Sequence, residues 1–267
     1  MALTLHAEVT VGPSADGVGA EVADTHHPAT IAFRRNGGEG EIWVRSPIPA
    51  GRGLGFSGAV RVAGLVAAHA QRHGDDAAKL QAAKPELLRL ATELEGHADN
   101  VAASLYGGVI ATAAGRAVRV PMPFDSAVVM WVPSLSTSTD ESRSKLPESV
   151  PWADAVYNVG RTALLVAALA AGDIDALRAA TEDRLHQERR LVRSPTSRAA
   201  IASALAAGAW AAWLSGSGPS VAVMCSPAEA ATIAASLPVD GHCKSLRIDH
   251  IGAEIVTGGV MPQPPGE

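Results

Sequence analysis

Pro47-Ile-Pro-Ala-Gly-Arg-Gly-Leu-Gly-Phe-Ser-Gly58 runs without a break into the Ala/Val-rich stretch from Ala59 to about His73. Gly51, Gly53 and Gly55 let backbone N–H groups turn toward one point. A helix starting right after them adds the positive end of its dipole at the same place. That combination suits phosphate oxygens, although a plain glycine connection between strand and helix has the same composition and the spacing alone does not choose. No Gly-Lys-Ser/Thr follows, so this is not a P-loop. Nor is it the dinucleotide fingerprint, because the spacing differs and no clear parallel strand precedes it.

Upstream, Leu3, Leu5, Ala7, Val9 and Val11 alternate with polar residues, the period of a half-buried strand. A second strand is expected over 18–23 and a third at Ile42–Arg45, so the first fifty residues read as extended structure. Downstream, a helix is expected from Pro85, taken as a first-turn residue, to Glu95. A short helix follows from about Asp99 to the Gly107-Gly108 pair. Val109–Ala113 and Ala117–Val120 fit a hairpin, and the domain boundary falls at Pro121–Pro123. The second half restarts with a buried strand, Ala127–Val132. Helices follow at 152–171, 174–191 and 197–207. Trp210–Leu214 and Ser220–Cys225 form a hairpin around Ser215-Gly-Ser-Gly-Pro219, Pro227–Ser236 is helical, and 244–256 is mostly extended. Three segments result: an amino-terminal lobe at 1–121, a carboxy-terminal lobe at 122–256, and a disordered tail at 257–267. Strands and helices alternate without the regular beat of a doubly wound sheet, so the class is α+β in two lobes.

At 267 residues the chain can bury a substantial core, and with 47% apolar residues it is not intrinsically disordered. Aromatics are 4%, so that core must be built from Ala, Val and Leu. The net charge of −5 offers no basic excess for a nucleic-acid backbone. Two cysteines are too few for a disulfide framework or a structural zinc site, and Cys225 reads as a buried thiol. No apolar run is long enough for a membrane span. A soluble, cytoplasmic protein is expected.

Two further segments carry chemistry. In Glu93-Leu-Glu-Gly-His-Ala-Asp-Asn100, Glu93 and His97 are four apart, with Asn100 one turn on. Carboxylate, imidazole and amide at that spacing can hold a magnesium ion or grip a polar substrate. They can equally form a solvated helix end with Asp99 as its N-cap. The Ser215–Pro219 turn permits close backbone approach to a ligand, or is simply a hairpin turn.

Taken in order, a Pro-x-x-x-Gly-Leu-Gly-x-Ser loop, a Glu-Gly-His-x-Asp-Asn box and a late Ser-Gly-x-Gly-Pro turn resemble the GHMP small-molecule kinases. Ser142-Arg-Ser-Lys-Leu-Pro147, the stretch from Trp152 to Arg161 and Glu182-Asp-Arg-Leu-His-Gln187 look like the homoserine kinase subfamily. The resemblance implies an amino-terminal lobe like the second domain of ribosomal protein S5 and a ferredoxin-like carboxy-terminal lobe. It implies ATP over Gly51, Arg52, Gly53, Gly55 and Ser57, with Gly216, Ser217 and Gly218 near the phosphates. It further implies Mg²⁺ on Ser57 and Glu93. His97 and Asn100 would lie at the hydroxyl end of a small amino-acid substrate and act in catalysis, while Arg143 and Arg190 would pair with the substrate carboxylate.

The chain also departs from the family. The Asn-Leu-Gly-Pro-Gly-Phe-Asp loop that opens the family is absent, and Met1–Val11 resembles the strand after it. The span from Val11 to Ile42 is short. Phe56 and Gly58 stand where Ser and Ala are usual, and His186-Gln-Glu-Arg-Arg190 replaces His-Gln-Pro-Tyr-Arg. Two alternatives to a kinase follow. One is a repurposed enzyme that handles a carboxylate-bearing or phosphorylated amino acid without ATP. The other is a non-catalytic remnant acting as a binding subunit, whose open sheet edge invites a partner or a homodimer.

Overall fold

The long helix after the glycine loop is the axis of the first half of the molecule. The computed structural model describes residues 1–12, 19–134 and 147–256, and divides into two compact units. The first comprises Met1–Pro49, Gly55–Arg119 and the chain from Ile248 onward; the second comprises Ala50–Leu54 and Val120–Arg247. The division is therefore not one cut near Pro121. The glycine loop is shared at Leu54/Gly55, and the last described residues return to the first unit.

In the first unit, strands β1 (Glu8–Val11), β3 (Ile42–Arg45) and β2 (Glu21–Val22) form an antiparallel sheet in the order β1-β3-β2. Helix α1 (Pro28–Arg35) falls where only extended chain was expected. Its signal is local: Pro28 occupies the first turn, where its missing N–H costs nothing, and the His27 ring accepts the Ala29 N–H at 3.1 Å. Helix α2 (Phe56–His73) packs on α1 so closely that a Cβ at Gly64 would lie 2.3 Å from the Ala29 carbonyl oxygen. Helix α3 (Ala77–Glu95) begins eight residues before the expected start. Asp76 caps it by accepting from Ala78 and Lys79 N–H, so Pro85 lies inside the helix rather than at its head. Helix α4 (Asp99–Tyr106) and the hairpin β4 (Val109–Ala113) and β5 (Arg116–Val120) follow as expected. One apolar cluster joins α2, α3 and α4 through Leu65, Leu87, Leu90, Val101 and Leu105; another joins α1, the sheet and α2 through Phe33, Ile42 and Val60.

The second unit is built on a four-stranded antiparallel sheet in the order β7-β8-β6-β9: β6 Ala127–Pro133, β7 Ala211–Leu214, β8 Val221–Cys225 and β9 Gly241–Arg247. Central β6 is buried at every position and pairs Trp131 with Val221 on one side and Cys243 on the other. Trp131 is the largest fully buried side chain; its indole N–H reaches the Pro238 carbonyl at 2.9 Å. The helices are α5 (Trp152–Ala171), α6 (Leu177–Ala180), α7 (Gln187–Leu191), α8 (Pro195–Ala206) and α9 (Ala230–Ser236). The single helix expected over 174–191 is thus two short ones, broken around Asp183. The carboxylate of Asp183 accepts from the Leu185, His186 and Gln187 N–H groups and from the Asn158 amide, which stabilises a turn there instead of continued helix. The expected tail, 257–267, lies outside the described residues. Among the described residues no helix is long and apolar enough to cross a membrane.

Candidate active site

The three loop glycines all adopt left-handed φ, 68° at Gly51 and 78° at Gly53 and Gly55, which a side chain would strain. Gly55 is the N-cap of α2 and, among the described residues, no side chain caps the helix, which leaves its first-turn N–H groups for water or a ligand. Phe56 does not enter the loop: its ring packs on the α1 core cluster and meets His27 edge-on, 6.1 Å between centroids. The side chain most at odds with a phosphate-wrapping loop therefore points into the fold.

In the first unit, Ser57 and Asn100 come to the start of α2. A Cβ at Gly58 would sit 3.1 Å from the Asn100 Cβ, so the glycine allows α4 to approach, and the Asn100 amide lies 3.7 Å from where a Gly55 Cβ would be. Ser57 Oγ donates to the Glu95 carboxylate at 2.9 Å. Arg61, one turn along α2, places Nη1 on both the Ser57 hydroxyl and the Glu95 carboxylate.

Glu93 was expected to share a metal with Ser57, but the hydroxyl's carboxylate partner is Glu95. Because α3 continues to Glu95, the two glutamates are two residues apart on one helix and point roughly 200° from each other. Glu93 pairs instead with Arg89 and, at 3.4 Å, with Arg35. Gly96, in the left-handed region, ends α3, so His97 lies beyond the helix and not on the Glu93 face. His97 Nδ1 is 2.5 Å from Asp99 Oδ1, and its Nε2 is 4.0 Å from Glu95. Asp99 is the first residue of α4 and accepts the Asn100 N–H; the N-cap position is Ala98. Among the described residues no cluster of three His, Cys, Asp or Glu could hold a metal by itself.

In the second unit, Gly53 lies directly against the Ser215–Pro219 turn. Ser215 Oγ donates to the Gly53 carbonyl at 2.9 Å, and a Cβ at Gly53 would fall 2.2 Å from the Ser215 carbonyl oxygen. Gly216 and Gly218 have positive φ, and Ser217 sits between them. Ser197, fully buried, fastens the turn by donating to the Pro219 carbonyl at 2.6 Å. Arg52 donates to the carbonyls of Pro133 and Ser134. Arg190 on α7 donates to the Gly216 carbonyl at 3.0 Å and stands 3.2 Å from His186 Nδ1. The far nitrogen of His186 is 3.3 Å from Asp183. Burial lowers the His186 pKa, with Arg190 adding to the effect against Asp183. Asp183 is itself raised by burial, but its hydrogen bonds outweigh that and hold its carboxyl below the usual range. Arg143, the other expected carboxylate-binding arginine, lies outside the described residues.

Of the residues singled out from the sequence, Ser57 and Asn100 come together at the start of α2 and Gly53 and Arg190 meet the 215–219 turn, whereas Glu93 pairs with Arg35 and Arg89; Glu95, Arg61 and Asp183 were not singled out. Gly96 as a C-cap was the available signal for Glu95, since it makes that residue the last of its helix. Arg61 follows from its i+4 spacing to Ser57.

Comparison with known proteins identifies the family. The family description "GHMP kinases N terminal domain" matches residues 24–108, and "GHMP kinases C terminal" matches residues 165–240. A homoserine kinase of Streptomyces avermitilis is 43% identical over 221 residues, 81% of this chain and 70% of that protein. A homoserine kinase of Thermus thermophilus is 40% identical over 194 residues, 72% of this chain; the match spans only 64% of that protein's length. The crystal structure of a homoserine kinase from Cytophaga hutchinsonii superposes with a TM-score of 0.76 at 26% identity, covering 86% of this chain and 78% of that one. With both family domains in order and such relatives, the chain belongs to the GHMP kinases, in their homoserine kinase branch.

Proposed function

We propose that this chain is a phosphotransferase that moves the γ-phosphate of ATP to the side-chain hydroxyl of homoserine or a closely related hydroxy amino acid. The observation that carries this reading is the Ser57–Glu95 oxygen pair at the open N-terminus of α2, with the Asn100 amide beside Gly55. A hydroxyl and a carboxylate are hard oxygen donors, and one or two such ligands suit Mg²⁺, which keeps waters and phosphate oxygens for its other positions. Bound there, the ion would neutralise phosphate charge during transfer.

The protein's own groups have separable tasks in this reading. The N–H groups at Gly51, Gly53, Gly55 and the first turn of α2 hold phosphate oxygens, and the Gly216–Gly218 backbone contributes to the same task. Asn100 and His97 orient the acceptor hydroxyl, and the Asp99 carboxylate fixes the His97 ring. Arg190, with Arg143, takes the substrate carboxylate, where a guanidinium fork gives two parallel bonds. The acceptor oxygen bonds to Pγ as the bond from Pγ to the ADP oxygen breaks, and the hydroxyl proton passes by way of the transferred phosphoryl oxygens to solvent. Such transfer runs mainly on positioning and charge neutralisation, so no strong base is needed. Phe56 turned into the core supports this reading over a pocket repurposed to work without ATP. The test is ADP release from ATP and Mg²⁺ on addition of L-homoserine, with L-serine as comparison. Homoserine-dependent turnover is expected, and its absence with every hydroxy amino acid tried would refute the proposal.

A further inference from the structure

Arg61 has no task in the reaction outlined above, yet it occupies the centre of the oxygen pair. Its Nη1 bonds both Ser57 Oγ and the Glu95 carboxylate, and the side chains are largely enclosed, 18% exposed for Arg61 and 9% for Glu95. The Nε of the same guanidinium is buried with no hydrogen-bond partner among the described residues. The group is held by its charge at the two oxygens and not by a full set of bonds, an arrangement that a competing cation can displace.

We propose that Arg61 is a built-in counter-ion that keeps the Ser57–Glu95 pair closed to free divalent cations. This rests on the reading of that pair as the Mg²⁺ position. A divalent ion arriving alone must displace the guanidinium and leave it enclosed beside a second positive charge. An ion arriving with a nucleotide brings phosphate oxygens that can receive the displaced guanidinium, a partner for which its planar fork is suited. Metal and nucleotide binding are then coupled through one side chain, and each strengthens the other.

The experiment is direct metal binding without nucleotide: Mn²⁺ titration followed by electron paramagnetic resonance, and Mg²⁺ by calorimetry, on the full chain and on Arg61→Met. The variant is expected to bind the ion at least about tenfold more tightly, since Glu95 loses its internal cation. Equal or weaker binding by a folded Arg61→Met would overturn the proposal. If Arg61→Met is unfolded in metal-free buffer, millimolar Mg²⁺ is expected to restore a cooperative melt, and failure to restore it is equally fatal. The double variant Arg61→Met/Glu95→Gln is expected to lose the gain; if it keeps it, the ion is bound elsewhere and the proposal fails. Failure of the kinase reading shows separately, as absence of nucleotide binding in the unaltered chain.

Discussion

The start of α2 in the first unit and the Ser215–Pro219 turn in the second are both glycine-rich, but they are built in opposite ways. At α2 the working groups are charged side chains, Glu95 and Arg61, brought together by helix ends and by a glycine that lets α4 approach. At the turn, backbone packs closely on backbone where Gly53 meets Ser215, and neutral side chains fasten it: Ser215 donates to the Gly53 carbonyl, Ser197 to the Pro219 carbonyl, and Gln187 receives the Leu214 N–H at 2.7 Å. The first site is therefore sensitive to charge, the second to volume.

The sharpest way to break this contrast is at the two glutamates. Glu95→Gln is expected to lower homoserine-dependent ADP release about 100-fold, the scale of losing one preorganised charge in a transfer site. Glu93→Gln is expected to change it less than about twofold, because exposed ion pairs such as those to Arg35 and Arg89 contribute little. Two glycines of one loop give the next comparison. Gly53→Ala is expected to cost about 3 kcal/mol in denaturant unfolding, from its contact with the Ser215 carbonyl and its positive φ together. Gly55→Ala carries only the backbone strain, about 1–2 kcal/mol.

Within the second unit, Asp183→Ala removes the acceptor that places α7 and Arg190. About 2 kcal/mol of stability is expected to be lost, with KM for the amino acid rising more than kcat falls. The smallest expected effects are in pH dependence. His186, with its pKa lowered, and Asp183, with its pKa lowered, both favour the folded form when deprotonated. Their contributions are complete above the ordinary His and Asp values and fade as pH falls through them. His6 behaves in the opposite sense: its hydrogen bond to Asp249 raises its pKa, so its contribution is present below the ordinary histidine value and is lost as pH rises through the raised one. Hydrogen exchange followed from pH 5 to 8 should show protection near 183–190 growing with pH while that near His6 declines.

The amino-acid sequence conveyed these two regions unequally. The Ser215–Pro219 turn and its flanking strands were legible because glycine spacing and an apolar run such as Val221–Cys225 have direct backbone meanings. Helix α1 was not, because His27 is an uncommon cap and the helix spans only eight residues. The break at Asp183 was hidden because a carboxylate capping three N–H groups looks, in sequence, like any acid in a polar helix. The Glu93/Glu95 choice needed the end of α3 to the residue, which Gly96 marks but which Pro85, taken as a helix start, drew attention away from. The cores were easier: Cys225, buried on β8 with its thiol pKa pushed up to about 11, is the inert thiol that its apolar neighbours implied.

Nucleotide binding by the unaltered chain tests the kinase reading most directly. Calorimetric titration with a non-hydrolysable ATP analogue and Mg²⁺ is predicted to give saturable heat that falls by about tenfold or more in affinity in Glu95→Gln and is unchanged in Glu93→Gln. No heat in the unaltered chain, or equal loss in both variants, would contradict it.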